Sequence, residues 1–99
     1  MIDGQSLALC QEMSISRAAF LRCLPAAVDG VAFNDAGTDI SYCDDGKGWR
    51  IAVTPLSDLV LGAIRLPRQR VEIFLTGYDA ASTRRFLDRF ELYFRRGGG

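Results

Sequence analysis

The sequence predicts an α+β fold: a two-layer sandwich in which an antiparallel meander sheet of four to five strands carries an N-terminal helix and a long C-terminal helix on one face. Three observations support this. Trp49, Ile51 and Val53 alternate with Arg50, Ala52 and Thr54, the period of two expected of a strand buried on one side. Thr83, Phe86, Leu87, Phe90, Tyr93 and Phe94 recur at helical spacing as one broad apolar stripe. Between the two helical segments, short apolar runs are separated by clusters of Asp, Asn, Gly and Pro, which implies hairpins. Two apolar helix faces that both need a sheet to cover fit most economically on the same side of it.

Taken in order, residues 1–13 read as a loosely ordered lead-in, with Leu7–Cys10 either a short helix or extended. Ser16 is placed to N-cap a helix from Arg17 to Leu24, and Ile15 with Phe20 forms a hydrophobic staple. Pro25 disfavours helical geometry at Leu24, so the helix ends or kinks there, with Ala26–Val28 as a last turn before Asp29-Gly30. Its Phe20, Cys23, Leu24 and Ala27 share the face that packs on the sheet. Val31–Phe33 and Asp39–Cys43 read as short strands around a turn at residues 34–38, and a second turn at residues 44–48 leads into the central meander. After Tyr78, Asp79 N-caps the long helix. Arg84–Asp88 and Glu91–Arg95 are four apart on its wet side, Arg95 and Arg96 suit its negative end, and Gly97 stops it, leaving a frayed tail over 97–99.

The meander itself reads as three strands. Trp49–Thr54 is closed by a turn at residues 55–58, since Pro55 cannot donate to a ladder. Leu59–Leu66 follows, apolar on both sides as in doubly buried strands, and Pro67 with Arg68-Gln69 turns the chain into Arg70–Thr76. Setting Val53 opposite Val60 and Gly62 opposite Ile73 collects Trp49, Ile51, Val53, Val60, Ile64, Leu66, Val71, Ile73 and Leu75 on a core face. Gly62 then leaves room for Trp49 to lie across the backbone. On the other face the same register gathers Ala52, Leu59, Leu61, Ala63 and Phe74, rimmed by Arg50, Arg65, Arg68 and Arg70. Arg65 and Arg70 oppose each other there, a repulsion that Glu72, an anion or an acidic partner would relieve.

The 99 residues make one domain, large enough for a single core, with ordinary apolar and charged content. The longest apolar run, Leu59–Ile64, is too short to span a bilayer, and the first ten residues lack the basic start and apolar core of a secretory signal. A soluble, cytoplasmic domain of bacterial type is the expectation. Net charge is zero, yet residues 1–49 carry seven acids against three cations while residues 50–99 carry nine arginines against five acids, or −4 and +4. Arginine outnumbers lysine eleven to one, a bias that fits a GC-rich genome.

Histidine is absent, which removes the commonest general base, the commonest neutral metal ligand and every Ser-His or Cys-His nucleophile pair. Cys10, Cys23 and Cys43 are odd in number and widely spaced, so they predict small buried thiols, with no disulfide framework and no metal pair. The acidic turns at residues 34–39 and 44–46 lack the alternating spacing and distal Glu of a calcium loop, and Gly46-Lys47-Gly48 lacks the upstream glycine of a phosphate loop. No cofactor or metal is expected, and nothing points to a catalytic site. The expected role is binding or assembly, with a protein partner or in a homodimer, through the apolar face of Ala52, Leu59, Leu61, Ala63 and Phe74. The alternative is an anion or RNA site on Arg65, Arg68 and Arg70, disfavoured by the neutral overall balance.

Overall fold

The computed structural model describes residues 5–97. Strand β1 (Gln5–Met13) is followed by helix α1 (Arg17–Ala27), a two-residue β2 (Asn34–Asp35), β3 (Asp39–Asp44), β4 (Lys47–Leu61), β5 (Ile64–Thr76) and helix α2 (Ala80–Gly97). The five strands form one antiparallel sheet in the order β1-β5-β4-β3-β2. After β1, helix α1 carries the chain to the far edge, and the meander of β2 to β5 returns until β5 pairs with β1. Residues of both helices then share one core cluster with the inward side chains of the sheet. The expected two-layer arrangement is therefore present.

Local chemistry explains most boundaries. Ser16 Oγ accepts from Ala19 N–H at 3.1 Å and caps α1, with Ile15 and Phe20 both buried beside it. Pro25 lies within α1 and does not end it. Val28 N–H donates to Leu24 O at 3.0 Å and Gly30 N–H to Pro25 O at 2.7 Å, so the last turn is closed around the ring. Asp79 and Ser82 cap α2 reciprocally: Ser82 N–H donates to Asp79 Oδ1 at 2.7 Å, and Asp79 N–H to Ser82 Oγ at 3.0 Å. The Ser82 N–H and the Ser82 hydroxyl, which also donates to Asp79 Oδ1 at 2.9 Å, hold the Asp79 carboxyl below its ordinary pKa of 3.8, with Lys47 and Arg85 nearby adding to the effect. Phe20 of α1 stacks on Phe94 at 4.7 Å, and Phe94 on Phe90 at 4.3 Å, which locks the two helices together.

Several expectations require correction. From Gln5 onward the lead-in is a strand, with a bulge between Leu7 and Leu9, rather than loose chain. Residues 1–4, and the end of the glycine tail at 98–99, lie outside the described residues, as do the side chains of Arg95 and Arg96. Val31–Phe33 is not a strand; Val31 and Phe33 pack half-buried on the core, and pairing starts at Asn34. Tyr93 leaves the apolar stripe of α2, being 38% exposed beneath the Arg89 guanidinium. Cys10 and Cys43 are exposed and Cys23 half-buried, all three as free thiols.

The largest correction concerns the meander. Residues 47–76 make one long hairpin instead of three strands, turning at Gly62-Ala63. Neither proline turns the chain. β3 stops pairing at Ala52, and Val53 N–H already points to that side, donating to Thr38 O at 2.8 Å. Pro55, two residues on, has the same orientation and faces a free edge, so its missing donor costs no ladder bond. Pro67 lies opposite the bulge between Leu56 and Leu59, where β4 carries one extra residue. Gly62 is the turn residue, with φ +61°, and is not a gap under Trp49.

The register changes accordingly. Val53 pairs with Val71 and Ile51 with Ile73, while Arg65 faces Val60 and Arg70 faces Thr54, so the two arginines do not oppose each other. Trp49, Ile51, Val53, Val71, Ile73 and Leu75 are buried as expected, but Val60 and Ile64 are exposed and Leu66 only half-buried. The burial of the hairpin stops where the helices stop covering it.

Candidate interaction surface

Beyond Thr54 and Arg70 the hairpin leaves the body of the domain as an arm. β3 no longer pairs with β4 past Ala52, and β1 no longer pairs with β5 before Gln69. The arm is thus a two-stranded ribbon with two free edges, which accounts for the elongated shape of 48 × 28 × 22 Å. Leu59 is 37% exposed, Val60 53%, Leu61 56% and Ile64 59%. Leu59 pairs with Leu66 and Leu61 with Ile64, so strand alternation puts these four side chains on one face as two adjacent rows. Val60 and Arg65 form the row between them and point to the opposite side.

That four-residue patch continues the outer face of the sheet, the side away from the helices. In the body this face is mixed. Arg50 lies over the Phe74 ring at 4.2 Å and donates to Asp39 Oδ1 at 3.1 Å. Arg68 donates to Ser57 O at 2.8 Å and to Glu12 Oε1 at 3.0 Å, bracing the base of the arm. Leu7 is exposed beside Phe74, its partner on β5. Glu72 lies between β1 and Ala52, and Arg70 faces solvent two residues along. At the far end of the face, Tyr42, Cys43, Gly48, Trp49, Arg50 and Thr76 line a mainly apolar cleft of about 290 Å³.

The residues expected to form one apolar face therefore separate. Ala52 and Phe74 lie on the outer face of the body, whereas Leu59, Leu61 and Ala63 lie on the arm. The arginine rim divides too. Arg50 and Arg68 are engaged with carboxylates, Arg70 is exposed on the outer face, and Arg65 points the other way. Val60, Ile64 and Leu66, assigned to the core from sequence, belong to the arm. The signal that could have placed them is Gly62-Ala63, a two-residue turn between apolar runs of matching length.

Among the described residues no group of three or more His, Cys, Asp or Glu is placed to hold a metal ion. No helix among them is long and apolar enough to cross a membrane. Tyr78 has its phenol pKa raised above 10.0 by burial first and by Tyr42 second, while Lys47 sits 4.6 Å over its ring. Burial and the neighbouring Tyr42 thus favour the neutral phenol beneath the ammonium group. The sequence matches no protein-family model, and comparison with curated proteins and with solved structures finds no match.

Proposed function

We propose that this domain acts by binding rather than by catalysis, and that it contacts a protein through the β4–β5 arm. One observation carries the reading: the arm presents Leu59, Leu61 and Ile64, with Leu66 beside them, on a ribbon that no other described element covers. A two-stranded ribbon alone in water has marginal stability, and an exposed aliphatic cluster adds to the cost of leaving it bare. Burying the exposed part of these side chains against a partner would contribute about 4 kcal/mol, at the usual value for aliphatic side chains of this size. Ala52 and Phe74 would extend the contact onto the body. Binding of anions or RNA through Arg65, Arg68 and Arg70 is less well supported, since Arg68 is already paired and Arg65 points away from the other two. The exposed free thiols of Cys10 and Cys43 suit a reducing compartment, which favours the cytoplasm.

Capture of protein partners on immobilised domain tests this reading. Ile64→Arg and Leu61→Arg are expected to reduce the captured protein at least about tenfold, the scale of losing a central apolar contact. Leu92→Arg, on the exposed side of α2, is expected to leave capture unchanged. Equal capture by all three variants, each still folded by circular dichroism, would remove the arm from consideration.

A further inference from the structure

We infer that the partner of the arm is a second copy of this chain, with the two outer sheet faces packed together so that each arm covers the cleft of the other. This rests on the proposed function and goes further by naming the occupant and its register. The inference comes from symmetry in the strand pairing. Val53 and Val71 are cross-strand partners and both point inward, so a twofold axis lying across the strands at that row meets no outward side chain. Each outward residue of β5 then lies over the residue equally far on the other side of Val71 in the second copy. Arg70 lies over Glu72 of the second copy, and Glu72 over its Arg70. The pairing is reciprocal and matched in charge, as isologous contacts require.

The same operation places the arm. Leu66 is five residues before Val71 and Thr76 five after it; allowing for the extra residue of the bulge, Leu59 and Gly48 are equally placed about Val53. The Leu59–Leu66 row therefore falls on the Gly48–Thr76 row of the second copy, and those two residues line its apolar cleft. Leu56 falls over Arg50, and Arg68 over the ring of Phe74. The outermost row, Leu61 and Ile64, reaches the Asp45-Gly46 turn. An aligned sandwich of two sheets about 10 Å apart gives these side chains the spacing at which they interdigitate. One arm end is smaller than the about 800 Å² that a stable interface draws from each partner. The reciprocal arrangement doubles the apolar contact, because each copy supplies both an arm and a cleft. Other registers lose this match: an axis at the Ala52–Glu72 row sets Glu72 against itself, and one at Thr54–Arg70 sets Arg70 against itself.

Sedimentation equilibrium of the full chain up to about 1 mM tests the inference, a range that registers even weak contacts. Four samples are compared: the parent chain, Arg70→Glu, Glu72→Arg, and an equimolar mixture of the two variants. The parent chain is expected to dimerise. Each variant alone should do so at least about tenfold more weakly, because like charges then face each other twice across the axis. The mixture should recover a one-to-one heterodimer, since each variant supplies the charge the other lacks. A parent chain that stays monomeric throughout overturns the second copy as partner, and leaves the arm to its own capture test. A parent dimer that neither variant weakens overturns this register. Should Ile64→Arg leave that dimer intact as well, the arm itself is not the contact.

Discussion

Two stretches of one hairpin behave as different materials. From Trp49 to Val53 and Val71 to Thr76, β4 and β5 alternate buried apolar residues with outward polar or half-buried ones, under two helices and between flanking strands. From Leu56 to Leu66 the same two strands keep their pairing but lose both flanking strands and most of their burial. Their difference shows that backbone pairing and burial are separate requirements. A ladder can run past the core, and the side chains beyond it must find another cover or remain in water.

The sharpest break in this comparison uses one residue type on one strand. Ile73→Ala, fully buried in the body, is expected to cost about 2–5 kcal/mol in urea unfolding, as large-to-small core changes do. Ile64→Ala on the arm should stay within about 0.5 kcal/mol in the monomer, as surface changes usually do. Similar losses at the two sites would mean that the arm is packed as the body is. A smaller and more local effect is expected at the tip. Gly62→Val puts a β-branched residue at φ +61°, where L-residues are disfavoured by about 1–2 kcal/mol. Native-state hydrogen exchange should then quicken across Leu59–Leu66 while the amides of Ile51 and Ile73 keep the protection of the parent chain. Quickening of all of them together would show that arm and body open as one unit.

The smallest expected effect lies wholly in the body and concerns pH. Asp79 has its carboxyl pKa lowered chiefly by the Ser82 N–H and hydroxyl, so its ionised form is favoured by folding. That contribution is complete above the ordinary carboxylate pKa and is lost as pH falls through the lowered folded value. Asp79→Asn should therefore flatten the acid limb of a stability–pH profile below about pH 4 and leave the arm's exchange rates unaltered. An unchanged acid limb would mean that ionisation of Asp79 adds nothing to the stability of the cap.

Much of the body was legible in the sequence because its signals are local. Ser16 and Asp79 cap helices through bonds to residues three positions away, and Asp45-Gly46 turns a hairpin with both residues at positive φ. The alternation at Trp49–Val53 and Val71–Leu75 depends on one strand at a time. The arm was not legible in this way. Its two prolines carry the same local signature whether they turn a chain or sit on an edge with no neighbour, and Leu59–Leu66 is equally apolar in a buried strand or across an exposed tip. For the same reason local spacing alone groups Ala52 and Phe74 with Leu59 and Leu61. All four belong to one face, but the spacing between the two pairs is set by the bulge at Leu56–Leu59 and by the turn at Gly62.

What the sequence determined by itself is thus the α+β class, the two capped helices, the inward residues of the body and the absence of histidine chemistry. Each follows from periodicity, capping or composition within a short window. Only the tertiary structure decided that β5 returns to pair with β1, that the pairing of β3 with β4 stops at Ala52, and that two prolines therefore lie where no neighbouring strand needs their N–H. Whether a donor is missed, or an apolar side chain is covered, depends on which distant strand lies beside it, and that is a property of the assembled sheet.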